Sequence, residues 1–449
     1  MKMGKSSCQV QGRITGPLLL VPCVFIFLTL FPYFDQQSSV ITNTGTKVAE
    51  KVLQPQPTPK TEPKSICNFS AYRTNICIMK GDIRIHGNSS TVLFAPNNPK
   101  EVAASDLNKT WIIKPYARKN DGTMQTIRNV TLTSFAHLDK APRCTTNHTV
   151  AAVIFSNRGY CGNYWHDFND VLVPLFITTR KFNGEVQLLV TQKQDWFFLK
   201  YQAIISRLTK YEVIEFDKEQ EVHCYPQAIL SLYQHKDFSI DPKKPPYGLS
   251  MVNFTKFMRE SYSLERDFAL QVAENPMKKP RLLIIGRKHS RVIKNTDEVI
   301  YMAEELGFEV VIDDLYRGPH LQEAARVVNT FDVMIGVHGA GLTNIVFLPL
   351  NAVVIQIIPL GKLNQLFSDE FGVPARDMKL NYLQYEIVED ESTLIDLYLR
   401  DDPIFTDPMS IHKRGWHELD KIYLRQQNVK LDVVRFRPFL EKAMNFLRQ

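Results

Sequence analysis

Two series of short apolar runs, each broken by stretches of helical period, account for most of the second two thirds of this chain. In the first series residues 150–155, 186–190, 213–216 and 228–232 have the length and composition of buried strands, while 166–179 and 196–208 read as helices. In the second, residues 281–285, 308–312, 331–337 and 352–358 read as strands. Asn295 or Thr296 starts a helix that runs through Leu306 and stops at Gly307, and residues 321–328 form another. Strands separated by helices pair in parallel through right-handed crossovers. The expected fold is therefore α/β, with two Rossmann-like domains facing a cleft and joined near residues 240–280. We place the first domain at 66–255 and the second at 278–400. A helical extension, 401–449, is expected to pack back on both.

The first 65 residues do not fit this rhythm. Residues 14–34 carry no charge and follow Lys2, Lys5 and Arg13. As a helix they would span about 31 Å at ~1.5 Å per residue, enough for a bilayer core. A cleavable signal peptide is the competing reading, but the run is long for one and no small-residue cleavage site follows Phe34. We read a signal anchor, with residues 1–13 cytosolic and everything after Asp35 luminal. Residues 35–65, rich in Pro, Gln and Thr, form a stem.

Six sequons, at Asn68, Asn88, Asn108, Asn129, Asn147 and Asn253, agree with luminal exposure, and none follows Thr255. Of seven cysteines, Cys8 and Cys23 fall in the tail and the span, which leaves an odd number in an oxidising lumen. Cys67–Cys77 and Cys144–Cys224 are the expected pairs, with Cys161 free. A net charge of +7 is spread along the chain, without the concentrated basic face that a nucleic-acid partner needs. It suits an anionic nucleotide donor.

Candidate chemistry lies at strand ends. The run Val337-His338-Gly339-Ala340-Gly341-Leu342-Thr343-Asn344 breaks an apolar strand into glycines before a helical turn. Gly339 and Gly341 permit positive φ and close ligand approach, and the free N–H groups of the turn favour a phosphate. Gly286-Arg287-Lys288-His289-Ser290-Arg291 leaves another strand of the same series. Arg287 and Arg291 supply planar, bidentate cations suited to a diphosphate. In the first series, His166 and Asp170 are four residues apart on one helix face, so an imidazole and a carboxylate act together, with Asp167 nearby. No D-x-D occurs, the histidines lack tight ligand spacing, and G-x-S-x-G, a Walker loop and a full G-x-G-x-x-G are missing. These gaps argue against a metal site, a hydrolase, an ATPase and a dehydrogenase.

Taken together, Cys67-Asn-Phe-Ser with Cys77, Gly162-Asn-Tyr-Trp-His-Asp-Phe-Asn-Asp-Val-Leu-Val-Pro174, Gly286 to Arg291 with Asn295, Val337 to Asn344 with Phe347-Leu-Pro349, and Val434-Arg-Phe-Arg-Pro438 resemble glycosyltransferase family 61, specifically its plant branch of Golgi xylan-modifying enzymes. The resemblance runs from about residue 66 to the C-terminus. It implies a single-pass type II Golgi membrane protein of GT-B-like architecture that inverts the anomeric centre with no cofactor and no metal. The donor would be a UDP-pentose and the acceptor xylan or a xylo-oligosaccharide, with other xylan-synthesis proteins as partners. Arg287, Arg291, Asn295 and the loop of His338, Gly339, Ala340, Gly341 and Leu342 would hold the donor diphosphate. Asp170 would act as base with His166 positioning, either being able to take either role. A protein-directed or N-glycan-directed UDP-sugar transferase, or a non-catalytic scaffold, are the alternatives; the scaffold would have degenerate donor residues, and here they are intact.

Overall fold

Ten strands build the first sheet: β1 (Cys67–Asn68), β2 (Ile76–His86), β3 (Thr91–Pro96), β4 (Thr110–Ile113), β5 (Val130–Ser134), β6 (Thr146–Asn147), β7 (Ala151–Ser156), β8 (Val186–Thr191), β9 (Ile214–Glu215) and β10 (Val222–Leu230). The computed structural model describes residues 63–449 apart from Lys140 and residues 316–320. The expected tail, membrane anchor and nearly all of the stem lie outside the described residues. Among the described residues no helix is long and apolar enough to cross a membrane.

The strand order is β4-β5-β3-β2-β10-β7-β8-β9, with β1 on β2 and β6 on β10. As the alternation of strand and helix implies, β10, β7, β8 and β9 pair in parallel. The rest of the sheet departs from the expected α/β pattern: β2 is antiparallel to both β10 and β3, and β4 to β5. Their side chains show why. Ile83 and Ile85 are buried while Asp82 and Arg84 between them are not, the period-two pattern of a sheet whose second face meets solvent. By contrast β7 and β8 are buried along their whole length: Val153 and Phe155 pack against the helices, while Ala152, Ile154 and Leu189 pack with Ile83 of β2 and Trp111 of β4.

The second sheet is wholly parallel, in the order β12-β11-β13-β14-β15. Its strands are β11 (Arg281–Ile285), β12 (Glu309–Asp313), β13 (Val333–Val337), β14 (Val353–Ile358) and β15 (Asn381–Glu386). The first four match the expected runs within two residues; β15, an edge strand with polar residues at half its positions, carries too little apolar signal to stand out.

The two halves share a core. Phe168 meets Phe254 and Phe347 edge-on at ring separations of 6.3 and 6.4 Å, and Tyr262 meets Phe347 at 5.5 Å. Helix Met251–Tyr262, in the stretch read as a connection, thus packs against both. The described residues of both halves fall in one compact unit. Helix Val433–Arg448 closes the far side, with Phe436 and Phe439 each 5.0 Å from the Tyr385 ring on β15.

Both expected disulfides are present, Cys67–Cys77 between directly opposed residues of β1 and β2 and Cys144–Cys224 at the β6 edge, and Cys161 is free. All six sequon asparagines are exposed.

Candidate active site

Strands β11 and β13 are neighbours, but the chain leaves β11 for β12 on one side and β13 for β14 on the other. Connections that diverge in this way leave a crevice at the carboxyl ends of the two strands. Both basic and glycine-rich motifs open there, the first after β11 and the second after β13.

Gly339 is where they meet. Its φ of 150° and ψ of 173° belong to a region essentially reserved for glycine. A Cβ placed on it would lie 2.8 Å from Arg287 Nη1 and 3.0 Å from Arg291 Nη1. Two guanidinium groups therefore pack directly over the bare backbone. Arg291 Nη1 donates to the His338 carbonyl at 2.8 Å and Arg287 Nε to the Ser290 carbonyl at 2.8 Å. Neither guanidinium has a carboxylate within ion-pair distance among the described residues, and Arg291 Nε is buried with no hydrogen-bond partner. Burial holds the Arg287 guanidinium below its usual range; burial and then the Arg287 charge push Arg291 down to about 9. Two partly buried cations repelling each other across a glycine need an anion.

The rest of the loop departs from expectation in two ways. Gly341 does not use positive φ; it sits within a turn, with Ile285 Cγ2 3.4 Å from where its Cβ would be. The turn itself, Ala340–Phe347, is a 3-10 helix, and the Leu342 side chain is buried beneath it. Asn295 is set apart. Its amide accepts from Leu431 N at 2.9 Å and donates to the Leu431 carbonyl at 2.8 Å and to Glu298, tying down the C-terminal segment.

His338 is 5 % exposed and stacks on Phe367 at 3.2 Å. Burial first, then the charges of Arg291 and Arg287, hold its imidazole well below the ordinary range, so it is neutral. Gln356 Nε2 donates to His338 Nδ1 at 2.9 Å, which puts the proton on Nε2, 3.4 Å from Glu370 Oε2.

The first sheet has a matching divergence, because β7 lies between β10 and β8. Its carboxyl end leads into residues 159–170. Helix Tyr164–His166 continues through a π segment, Asp167–Leu172, into Val173–Thr179; such widened turns collect at functional sites. His166 and Asp170 do meet: His166 Nδ1 lies 2.9 Å from Asp170 Oδ2. Asp170 has no exposed surface, and it also accepts from Tyr116 Oη at 2.7 Å, Arg118 Nε at 2.9 Å and Asn169 Nδ2 at 2.6 Å. Arg118 Nη2 is 3.0 Å from His166 Nδ1, and its guanidinium lies over the Tyr160 and Trp165 rings. Asp167 serves the loop instead, accepting from Gly162 N and Tyr201 Oη. Trp165 Nε1 is buried with no hydrogen-bond partner.

The two clusters touch. Tyr164 Oη donates to Asn344 Oδ1 at 3.0 Å, and Asn344 Nδ2 donates to the Gly341 carbonyl at 2.9 Å, so the helix carrying His166 is bonded to the glycine loop. Glu370 joins the glycine-loop side. It contacts His338, and its carboxyl responds to the charges of Asp237, Arg118 and Arg73 from the first half. Arg118, Tyr116 and Glu370 escaped the sequence reading because each stands outside any spaced motif.

A cationic cradle on the parallel sheet, bonded to a histidine–aspartate–arginine cluster on the mixed one, has the parts of a group-transfer enzyme with an anionic leaving group. A family model described as Glycosyltransferase 61 matches residues 164–355, which include both clusters' central motifs. The chain is 45 % identical over 468 residues to a beta-1,2-xylosyltransferase of Oryza sativa subsp. japonica, covering 100 % of each protein. It is 49 % identical to an alpha-1,3-arabinosyltransferase of the same species, over 86 % of this chain and 66 % of that one. A xylan glycosyltransferase of Arabidopsis thaliana is 34 % identical over 98 % of this chain and 94 % of its own. The protein belongs to glycosyltransferase family 61, in its plant branch, and is a glycosyltransferase.

Proposed function

We propose that the protein transfers a pentose, arabinofuranose or xylose, from a UDP-sugar to the xylose backbone of xylan in the Golgi lumen, with inversion at the anomeric carbon. The two halves act as the facing sheets of a GT-B-like enzyme. Support for the substrate class comes from relatives named for xylosyl transfer, arabinosyl transfer and xylan, at 45, 49 and 34 % identity. The observation that carries the donor assignment is the pair of guanidinium groups over Gly339, neither of them ion-paired with a carboxylate among the described residues. Arg287 and Arg291 would meet the charge that builds on the diphosphate as the glycosidic bond breaks, a role that needs no metal ion.

On the acceptor side the geometry does not favour Asp170 as the base that the sequence suggests. A carboxylate that is fully buried and already accepts from several donors is a poor proton acceptor for a substrate. Asp170 and Arg118 instead hold the ring at Nδ1, which leaves His166 Nε2 to orient an acceptor hydroxyl.

The test is transfer and binding measured together. Arg287→Ala should abolish transfer from UDP-xylose or UDP-arabinofuranose to xylo-oligosaccharides and weaken UDP binding at least tenfold by calorimetry, while secretion and glycosylation stay normal. Unchanged UDP affinity in a folded variant would remove the donor assignment. A folded wild-type enzyme that moves no pentose from either donor would remove the substrate reading.

A further inference from the structure

Glu370 stands in no motif, yet it touches the glycine loop through His338 and feels the charges of Asp237, Arg118 and Arg73 from the first half. It lies in a second π segment, Ser368–Gly372, and its side chain is about one-quarter exposed. On one side the His338 Nε2 proton faces it at 3.4 Å, from the residue whose carbonyl holds Arg291. The other side faces the first half, where Arg118 pairs with Asp170 and Arg73 pairs with Asp237 at 2.6 Å. Among the described residues Glu370 has no ion pair with a lysine or arginine. The carboxyl is thus held at one corner and open elsewhere, unlike Asp170.

We propose that Glu370 is the general base of the transfer, taking the proton of the acceptor hydroxyl while His166 orients that hydroxyl. The proposal rests on the sugar-transfer reading above and deepens it. As the acceptor oxygen bonds to the anomeric carbon, its proton passes to Glu370 and the carbon–oxygen bond to the diphosphate breaks, the electron pair leaving with UDP. The protonated carboxyl returns its proton to water after the products depart. His338, neutral and with Nε2 3.4 Å from the carboxyl, places the base against the same loop that grips the leaving group, so donor binding sets the base beside the reacting carbon.

The electrostatics agree with the geometry. Burial first and the Asp237 charge next raise the Glu370 carboxyl from 4.5 to about 7, with Asp369 adding and Arg118 and Arg73 opposing. A base with that value is poised at near-neutral pH. It is charged, and active, above pH ~7 and protonated, and inactive, below it.

The experiment measures kcat against pH, together with UDP affinity, in the full-length protein. Glu370→Gln is expected to lower kcat at least 100-fold, leave UDP affinity within about twofold, and abolish the ascending limb near pH 7. Glu370→Asp is expected to lose about tenfold in kcat and to keep the limb. Activity of Glu370→Gln within threefold of wild type, or a loss of transfer matched by an equal loss of UDP affinity, overturns the assignment. So does a limb that vanishes in His166→Gln but survives in Glu370→Gln. Slow hydrolysis of the UDP-sugar needs no polysaccharide and reads the same base. A wild-type enzyme that hydrolyses donor but glycosylates no xylo-oligosaccharide therefore defeats the substrate reading while still testing Glu370.

Discussion

Replacing Gly339 with alanine asks whether the bare backbone under the two arginines is the donor site. The new methyl would start 2.8 Å from Arg287 Nη1 and 3.0 Å from Arg291 Nη1, whereas relaxed contacts between such atoms lie at about 3.5–4.0 Å. Both guanidinium groups must retreat by roughly 0.5–1 Å, away from any bound anion. The backbone adds its own cost. At φ 150° and ψ 173° an alanine is strained by about 1–3 kcal/mol. A displacement near 1 Å at a reacting centre is worth up to about 100-fold in rate. Gly339→Ala should therefore bind UDP roughly 10- to 100-fold more weakly by calorimetry and lose transfer in proportion. Gly341→Ala is the matched control. Its Cβ meets Ile285 Cγ2 at 3.4 Å, an ordinary contact, and its φ is not positive, so stability and affinity should change little. A folded Gly339→Ala protein with wild-type UDP affinity, or equal losses in both variants, would refute the reasoning.

Removing Arg118 should be costly for the fold as well as for turnover. Asp170 would be left buried without its cation, and Arg118→Ala should lose about 3–5 kcal/mol in urea unfolding; a loss under about 1 kcal/mol would show that the pair is dispensable. Cys144→Ser opens a crosslink between residues 80 apart, for which chain entropy gives about 4–5 kcal/mol at 25 °C. Secretion yield and melting temperature should both fall, and unchanged melting would show that the β6 edge holds without the bond.

The sequence made the central parallel strands plain because they are apolar runs of strand length, as at β11 and β14. Strands β2 to β5 were hidden by their solvent-facing polar alternation and by connections that hold at most short 3-10 turns rather than α-helices. At the site, Arg287, Arg291 and His338 were legible because their motifs stand at strand ends, and the His166–Asp170 contact followed from helical spacing. Arg118 reaches Asp170 from 52 residues earlier in the chain and Glu370 reaches His338 from a separate helical segment, so only tertiary structure puts them in place. Asn295 illustrates the opposite error. It stands near the basic motif in sequence, but the fold uses its amide to hold Leu431.

Helix Met251–Tyr262 and the aromatic contacts from Phe168 to Phe347 make the two sheets mechanically one body. A seam filled with interlocked rings resists rotation of one sheet against the other, since any hinge there would expose apolar surface. Sugar exchange must then be accommodated at the rim, by the connections after β7, β11 and β13. Selection for a different pentose can accordingly work on those few connections while the shared core stays unchanged.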